Sequence, residues 1–168
     1  LVADTGRDEV QRFATDGTMR SRWGGSGTAP GAFRAVTDVT VLPDGDVLTA
    51  DSRNHRVQRF APDGTFRTAW GRRGTGPGEL DRPVGIAAAP DGTVVVTDAR
   101  TGRVQRFGAD GAFLHGWGGE GTAAGRFASP WDIAVAGDGT VYVVDINNHR
   151  VQRFAPDGTH LGSFGSRG

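Results

Sequence analysis

The sequence contains neither cysteine nor lysine. Without cysteine, the chain can form neither a disulfide framework nor a thiolate metal site. Arginine supplies all 19 basic residues, which is typical of a GC-rich bacterial genome, and 19 acidic residues balance them to a formal net charge of zero. That balance removes the simplest argument for binding to nucleic acid or to an anionic membrane. No segment approaches the ~20 apolar residues of a membrane span, and no signal peptide is recognisable.

A repeat with a period of 47 residues organises the chain. The tetrapeptide Val-Gln-Arg-Phe begins at Val10, Val57, Val104 and Val151. Three other columns keep the same offset: an aspartate six residues before each tetrapeptide, an Asp-Gly pair after it, and then a tryptophan, replaced by phenylalanine in the last copy. Such a period is typical of propellers and solenoids.

Each full repeat predicts four short β-strands joined by glycine-rich turns. Asp-Gly between apolar runs favours hairpins, because glycine tolerates positive φ. The second strand is apolar on both faces, as in Val94–Val96, so its sheet must lie between two neighbouring sheets. The sequence therefore predicts one all-β domain over residues 1–168 with 15 strands: a partial blade over 1–23 and full four-stranded antiparallel blades over 37–70, 84–117 and 131–164.

The pattern over Gly125 to Gly165, with D-G-T-V-Y-V-V-D, N-N-H-R-V-Q-R-F, D-G and a terminal aromatic-Gly pair, resembles the NHL repeat. The resemblance covers essentially the whole chain and implies a β-propeller, usually of six blades. About 3.75 blades are present, so we expect an open arc or a fragment of a larger propeller. Domains of this family bind protein, RNA or small ligands, and some relatives are peptide-amidating lyases with a metal at the hub.

Two kinds of loop divide the predicted blades into two faces. The Asp-Gly hairpins are short and nearly identical, whereas the loops between second and third strands and the connections between blades vary. Function usually lies on variable loops that a rigid scaffold holds, so we expect ligands on that variable face. The repeated pairs of aspartate and arginine are interpreted as structural bridges across the loop, because they recur in every full blade: Asp51 with Arg56, Asp98 with Arg103, and Asp145 with Arg150.

The column before the inner strand departs most from the repeat, with Thr37, Val84 and Trp131 in successive copies. We predict that these residues, together with Asp132, open toward the propeller axis and contact a ligand, with packing of Trp131 against a neighbouring blade as the alternative. A further candidate is the basic pair Arg72 and Arg73 in the connection between two blades. The equivalent histidines His55 and His149 lie too far from the axis for a hub metal, so neither a metal nor another cofactor is predicted.

Three functions remain open at this point. The leading hypothesis is a non-catalytic scaffold that recognises a protein or peptide through the variable face, with a small ligand as a second option. The first alternative is part of a propeller enzyme of the peptide-amidating-lyase or lactonase kind, with catalytic residues partly outside this chain. The second alternative is RNA binding, which the zero net charge disfavours. We also expect self-association through open blade edges.

Overall fold

The computed structural model describes residues 1–168, which form fifteen β-strands in four antiparallel sheets. Sheet I contains β1 (Val2–Asp4), β2 (Glu9–Phe13) and β3 (Met19–Gly24). Sheet II contains β4 (Val36–Val41), β5 (Val47–Asp51), β6 (Arg56–Phe60) and β7 (Phe66–Trp70). Sheet III contains β8 (Pro83–Ala88), β9 (Val94–Asp98), β10 (Arg103–Phe107) and β11 (Phe113–Gly118). Sheet IV contains β12 (Pro130–Val135), β13 (Val141–Asp145), β14 (Arg150–Phe154) and β15 (His160–Phe164).

These sheets confirm the predicted propeller of four-stranded blades preceded by a three-stranded partial blade. Every Val-Gln-Arg-Phe segment lies on the strand next to the outermost one. The only helical segments are two single 3₁₀ turns, Ser52–Asn54 and Ile146–Asn148, each closed by a histidine in the left-handed region. No helix has the length and hydrophobicity that crossing a membrane requires.

The core lies between the sheets, because consecutive blades stack face to face. All residues of β5 and β9 are buried, as their two apolar faces predicted. In β13, by contrast, buried residues alternate with half-buried ones. Sheet IV therefore presents one unstacked face to solvent, and the four sheets form an open arc.

Two contacts link each sheet to the next and repeat along the arc. The tryptophan of the outermost strand packs on the hairpin glycine of the following sheet, in the pairs Trp23 with Gly64, Trp70 with Gly111 and Trp117 with Gly158. The arginine of Val-Gln-Arg-Phe donates to a carbonyl of the following hairpin, in the pairs Arg12 with Pro62, Arg59 with Ala109 and Arg106 with Pro156. The arginine and the tryptophan thus fix how consecutive blades are joined.

The repeated aspartates are structural, but their partners differ between blades. Asp51 and Asp145 accept from Arg56 and Arg150 at 2.8 and 3.1 Å, as predicted. The predicted pair of Asp98 with Arg103 is wrong, since the Nε of Arg103 donates to the hydroxyl of Thr101 at 3.1 Å. In the other two blades an asparagine lies at the position of Thr101 and donates to the aspartate. In sheet III, Asp98 instead accepts only backbone N–H groups, and Thr101 provides an oxygen that Arg103 can reach.

Candidate functional site

A cavity of about 700 Å³ opens on the variable face where all four sheets approach one another. Sheet I contributes Thr5 after β1, sheet II contributes Thr37 and the 3₁₀ turn, and sheet IV contributes Trp131. The connection before sheet III and the loop after β9 complete the wall. Loops of four successive repeats thus form one site.

Trp131 is held at the rim by its backbone, which leaves its ring available. Its carbonyl accepts from the hydroxyl of Thr97 at 2.9 Å. The same carbonyl lies so close to Gly85 that a Cβ there would be 2.7 Å from the oxygen, so only glycine permits this approach. The side chain of Trp131 is 40% exposed. A large apolar ring fixed in this way and open to solvent is a typical contact surface for a ligand.

The guanidinium group of Arg82 lies over the ring of Trp131, 5.5 Å from its centroid. The position of Arg82 follows from the buried aspartate of its own blade. Asp98 accepts the backbone N–H groups of Asp81 at 2.8 Å and of Arg82 at 3.0 Å. The structural aspartate therefore places two polar side chains at the cavity.

Asp81 is the centre of the ion pairs in the cavity. Its carboxylate lies 3.3 Å from Arg73, 3.1 Å from Arg100 and 3.5 Å from Nδ1 of His55. The imidazole of His55 also contacts the carbonyl oxygen of Asp81. Asp81 thus links the connection before sheet III to the loops of sheets II and III.

Positive charge dominates this cavity. Its lining includes four arginines, namely Arg53, Arg73, Arg82 and Arg100, against the single carboxylate of Asp81. All ion pairs in the cavity involve Asp81, which leaves the guanidinium groups of Arg53 and Arg82 without a carboxylate partner. Guanidinium groups recognise carboxylates and phosphates with planar, paired donors, so the cavity suits an anionic group beside an aromatic or apolar one.

The predicted ligand residues divide into two groups. Thr37, Arg73 and Trp131 line the cavity together. Arg72 points elsewhere and pairs with Glu79 at 2.9 Å. Asp132 is exposed outside the cavity, and its carboxylate accepts the backbone N–H of Ile133.

The expectation for Val84 is wrong, because this side chain is 3% exposed and does not reach the cavity. Removing an apolar side chain from water lowers the free energy of the folded chain. The valine in this column therefore packs inward, whereas the threonine and the tryptophan stay at the rim. Sequence reasoning missed Arg53, Arg82 and Arg100, which lie in three separate loops. Arg53 and Arg100 share one column of the repeat, and neither that column nor the column of Arg82 carries arginine in every copy, so this variation was the only signal for them.

The inner strands carry one unusual carboxyl group, Asp38 of β4. Burial raises the pKa of Asp38, and the nearby charge of Asp132 adds to the effect, although backbone N–H groups of Ile86 and Val39 oppose it. Ile86 donates at 2.8 Å from the following sheet, so Asp38 also links two blades. No group of three or more histidine, aspartate or glutamate side chains in the structure is arranged to hold a metal ion.

Comparison with known proteins agrees with this geometry. The family model described as NHL repeat matches residues 33–60, 80–107 and 127–154. Comparison with curated proteins gives no significant match.

Three solved structures illustrate the similarity of fold. Virginiamycin B lyase from Staphylococcus aureus is 19% identical with a TM-score of 0.71, over 96% of this chain and 50% of that protein. A streptogramin B lyase is 16% identical with a TM-score of 0.74, over 98% and 50%. A gluconolactonase from Xanthomonas campestris is 21% identical with a TM-score of 0.66, over 94% and 55%. The chain thus spans about half the length of these propeller proteins.

Proposed function

We propose that this chain, which belongs to the NHL-repeat family, is a non-catalytic binding domain for an acidic segment of a protein or peptide. The observation that carries the proposal is the cavity that Trp131 lines together with four arginines and a single carboxylate. Tryptophan and arginine are the side chains that contribute most often to binding energy at protein interfaces.

Each part of the cavity has a role in this binding. Arg53 and Arg82, which lack a carboxylate partner, attract the acidic side chains or the terminal carboxylate of the segment. Trp131 packs against an apolar or aromatic side chain of the same segment. Asp81 pairs with Arg73 and Arg100, so these side chains lose less conformational entropy when a ligand binds.

Selection from a random peptide library on the immobilised chain tests this proposal. We expect the selected peptides to contain aspartate or glutamate together with an aromatic residue, and to be displaced by salt. Two parallel selections, on Trp131→Ala and on Arg53→Ala, should lose these peptides. Selected peptides without acidic residues, or equal recovery on the variants, would contradict the proposal. Stronger retention of a single-stranded RNA than of any peptide would favour nucleic-acid binding instead.

A second candidate function is acid–base catalysis, and the contact between His55 and Asp81 favours it. The backbone carbonyl of Asp81 orients the Nδ1 of His55, and the carboxylate of Asp81 lies 3.5 Å away. An imidazole oriented in this way within a cavity is a common general base. The guanidinium groups of Arg73 and Arg100 lie beside this pair and could stabilise an anion formed from a substrate.

Turnover assays separate this candidate from simple binding. Quinupristin, which was bound to an inactive virginiamycin B lyase of similar fold, and a gluconolactone are the substrates to try. If His55 is the base, His55→Ala should lower turnover by roughly 10²–10⁴-fold. His149→Ala is the matched control, because His149 has the same backbone position outside the cavity. Absence of turnover, or equal losses in the two variants, would exclude His55 as the base.

A further inference from the structure

Part of the cavity recurs one repeat earlier, at the joint between sheets I and II. A hollow of about 440 Å³ at this joint is lined by Asp8, Ser26, Arg34, Ala35 and Arg53. Each of these residues lies 47 positions before a residue that lines the cavity, in the order His55, Arg73, Asp81, Arg82 and Arg100. The two joints therefore form the same kind of hollow from different side chains. We call the hollow between sheets I and II the second hollow.

One exchange changes the charge of the second hollow. At the joint between sheets II and III, the carboxylate of Asp81 pairs with Arg73 and Arg100. In the second hollow the column of Asp81 carries Arg34 instead. Neither Arg34 nor Arg53 forms an ion pair in the structure. The second hollow thus has two free guanidinium groups and lacks the central carboxylate that the cavity has.

Backbone hydrogen bonds hold the two arginines next to each other. The buried carboxylate of Asp51 accepts from the N–H of Arg34 at 2.8 Å, and the carbonyl of Arg34 accepts from the N–H of Arg53 at 3.0 Å. Both arginine side chains are exposed. The one carboxylate of the second hollow, Asp8, accepts the backbone N–H of Ala35 at 2.6 Å. The backbone is therefore fixed, the guanidinium groups are accessible, and the net charge of the lining is positive.

The second hollow is continuous with the cavity, because Ala35 and Arg53 line both. Positive charge thus follows the variable face from Arg82 beside Trp131, through Arg53, to Arg34. The same columns stay open at the joint between sheets II and III, although a further sheet lies on either side of that joint. The accessibility of the second hollow is therefore a property of the joint itself.

We propose that the second hollow is a second subsite of the variable face, in which Arg34 and Arg53 bind a second carboxylate of the acidic segment. This inference rests on the proposed function, since the first acidic group of the same segment occupies the cavity. The second carboxylate takes the place that Asp81 has at the next joint, and paired guanidinium donors suit it. Binding at one subsite raises the effective concentration of the second carboxylate at the other, so two acidic groups at a suitable separation bind more tightly than one.

Peptide selection on the wild type and on Arg34→Ala tests this subsite. The library contains random peptides of about 12 residues, which span roughly 40 Å when extended at ~3.3 Å per residue. We expect the wild type to select peptides with two acidic residues at a preferred separation. Arg34→Ala should still select one acidic residue with an aromatic one, but no second acidic residue at that separation. The Arg34 side chain makes no hydrogen bond or ion pair, and its backbone bonds remain in the variant, so folding should be unaffected.

Arg20→Ala is the matched control for long-range electrostatic attraction. Arg20 is also exposed and forms no ion pair, but it lies on the outermost strand of sheet I, outside both hollows. Arg20→Ala removes the same charge as Arg34→Ala, so it should select the same doubly acidic peptides as the wild type.

Titration of one peptide selected on the wild type completes a double-mutant cycle. Changing its second acidic residue to the amide should weaken binding to the wild type and to Arg20→Ala about 10-fold. Arg34→Ala should bind the two peptides with affinities equal within about twofold. Selected peptides without acidic residues would overturn the proposed function and this inference with it. Singly acidic peptides on the wild type, or a difference between the two peptides that persists in Arg34→Ala or vanishes in Arg20→Ala, would overturn the second subsite alone.

Discussion

The indole ring of Trp70 lies against the backbone of Gly111 in the next blade, so closely that a Cβ on Gly111 would be 2.6 Å from the ring. The same contact occurs at three joints of the arc, always between a tryptophan and the glycine of an Asp-Gly hairpin. The glycine therefore has two roles. It supplies the positive φ that the turn requires, and it provides the space that the tryptophan fills.

Substitution of the two kinds of hairpin glycine separates these roles. Gly111 and Gly92 both have positive φ, at 89° and 80°, but nothing lies near Gly92. Gly92→Ala should cost roughly 1–2 kcal/mol of unfolding free energy from backbone strain alone. Gly111→Ala should cost about 1–3 kcal/mol more, because the indole must also move. Denaturant unfolding monitored by circular dichroism measures both, and equal losses would show that the tryptophan contact is not tight.

The tryptophans themselves leave a buried donor unsatisfied. The indole N–H groups of Trp23, Trp70 and Trp117 are buried and have no hydrogen-bond acceptor in the protein. Trp70→Phe removes this donor and keeps a ring, so we expect a loss below ~1.5 kcal/mol, whereas Trp70→Ala should lose about 3–5 kcal/mol. Similar losses for the two variants in chemical unfolding would indicate that the indole has a polar role.

The difference between the structural arginines can be measured directly. Arg56 and Arg103 both donate to carbonyls of the connection before their own sheet, but only Arg56 also pairs with a buried aspartate. Arg56→Ala should therefore destabilise the chain by about 1–3 kcal/mol more than Arg103→Ala, because Asp51 loses a charged donor. Equal losses in thermal or chemical unfolding would contradict the difference between the two blades.

Asp38 gives a dependence of stability on pH with a distinctive sign. Because burial raises the pKa of Asp38 above its ordinary 3.8, the folded chain holds this proton more tightly than the unfolded chain. Its contribution to stability therefore falls as the pH rises from the unfolded pKa through the raised folded pKa, and the loss persists above it. The free energy of unfolding of Asp38→Asn, measured relative to that of the wild type, should thus be higher at about pH 7 than at about pH 3.

Asp138→Asn is the control with the opposite sign. A hydrogen bond from the backbone N–H of Thr140, followed by one from its side chain, lowers the pKa of Asp138. Its contribution is therefore present above the unfolded pKa and is lost as the pH falls through the folded pKa. The free energy of unfolding of Asp138→Asn, measured relative to that of the wild type, should be lower at neutral pH than in acid. Parallel pH profiles for the two variants in denaturant unfolding would contradict the assigned shifts.

The architecture could be predicted from the sequence because the residues that each structural feature requires recur in the copies of the repeat. The second strands that are apolar on both faces, the Asp-Gly turns and the tryptophan column all predicted the same sheets, and the structure confirms them. The exception, Arg103, lies beside Thr101, where the other full blades carry Asn54 and Asn148. Threonine in place of asparagine at this one position was enough to change the hydrogen-bond partner of the arginine two residues later.

The cavity was less accessible to sequence reasoning. Thr37 and Trp131 were recognisable because their column varies, but Arg53, Arg82 and Arg100 meet only when sheets II and III stack around the axis. Val84 shows the same limitation, since its exposure depends on how tightly its sheet packs. The pattern of a sequence predicts which face of a strand is buried. Which loops of different repeats come together depends on how consecutive blades are packed.

Calorimetric titration of a selected acidic peptide into the chain and its variants tests binding at this cavity most directly. Trp131→Ala should lose about 2 kcal/mol or more of binding free energy. Arg53→Ala should also lose binding free energy, and its loss relative to the wild type should become smaller as salt is added. Asp91→Asn changes a hairpin on the opposite face and should bind with unchanged affinity. Unchanged affinity in Trp131→Ala, or a loss in Asp91→Asn as large as that in Trp131→Ala, would contradict the assignment of binding to the variable face.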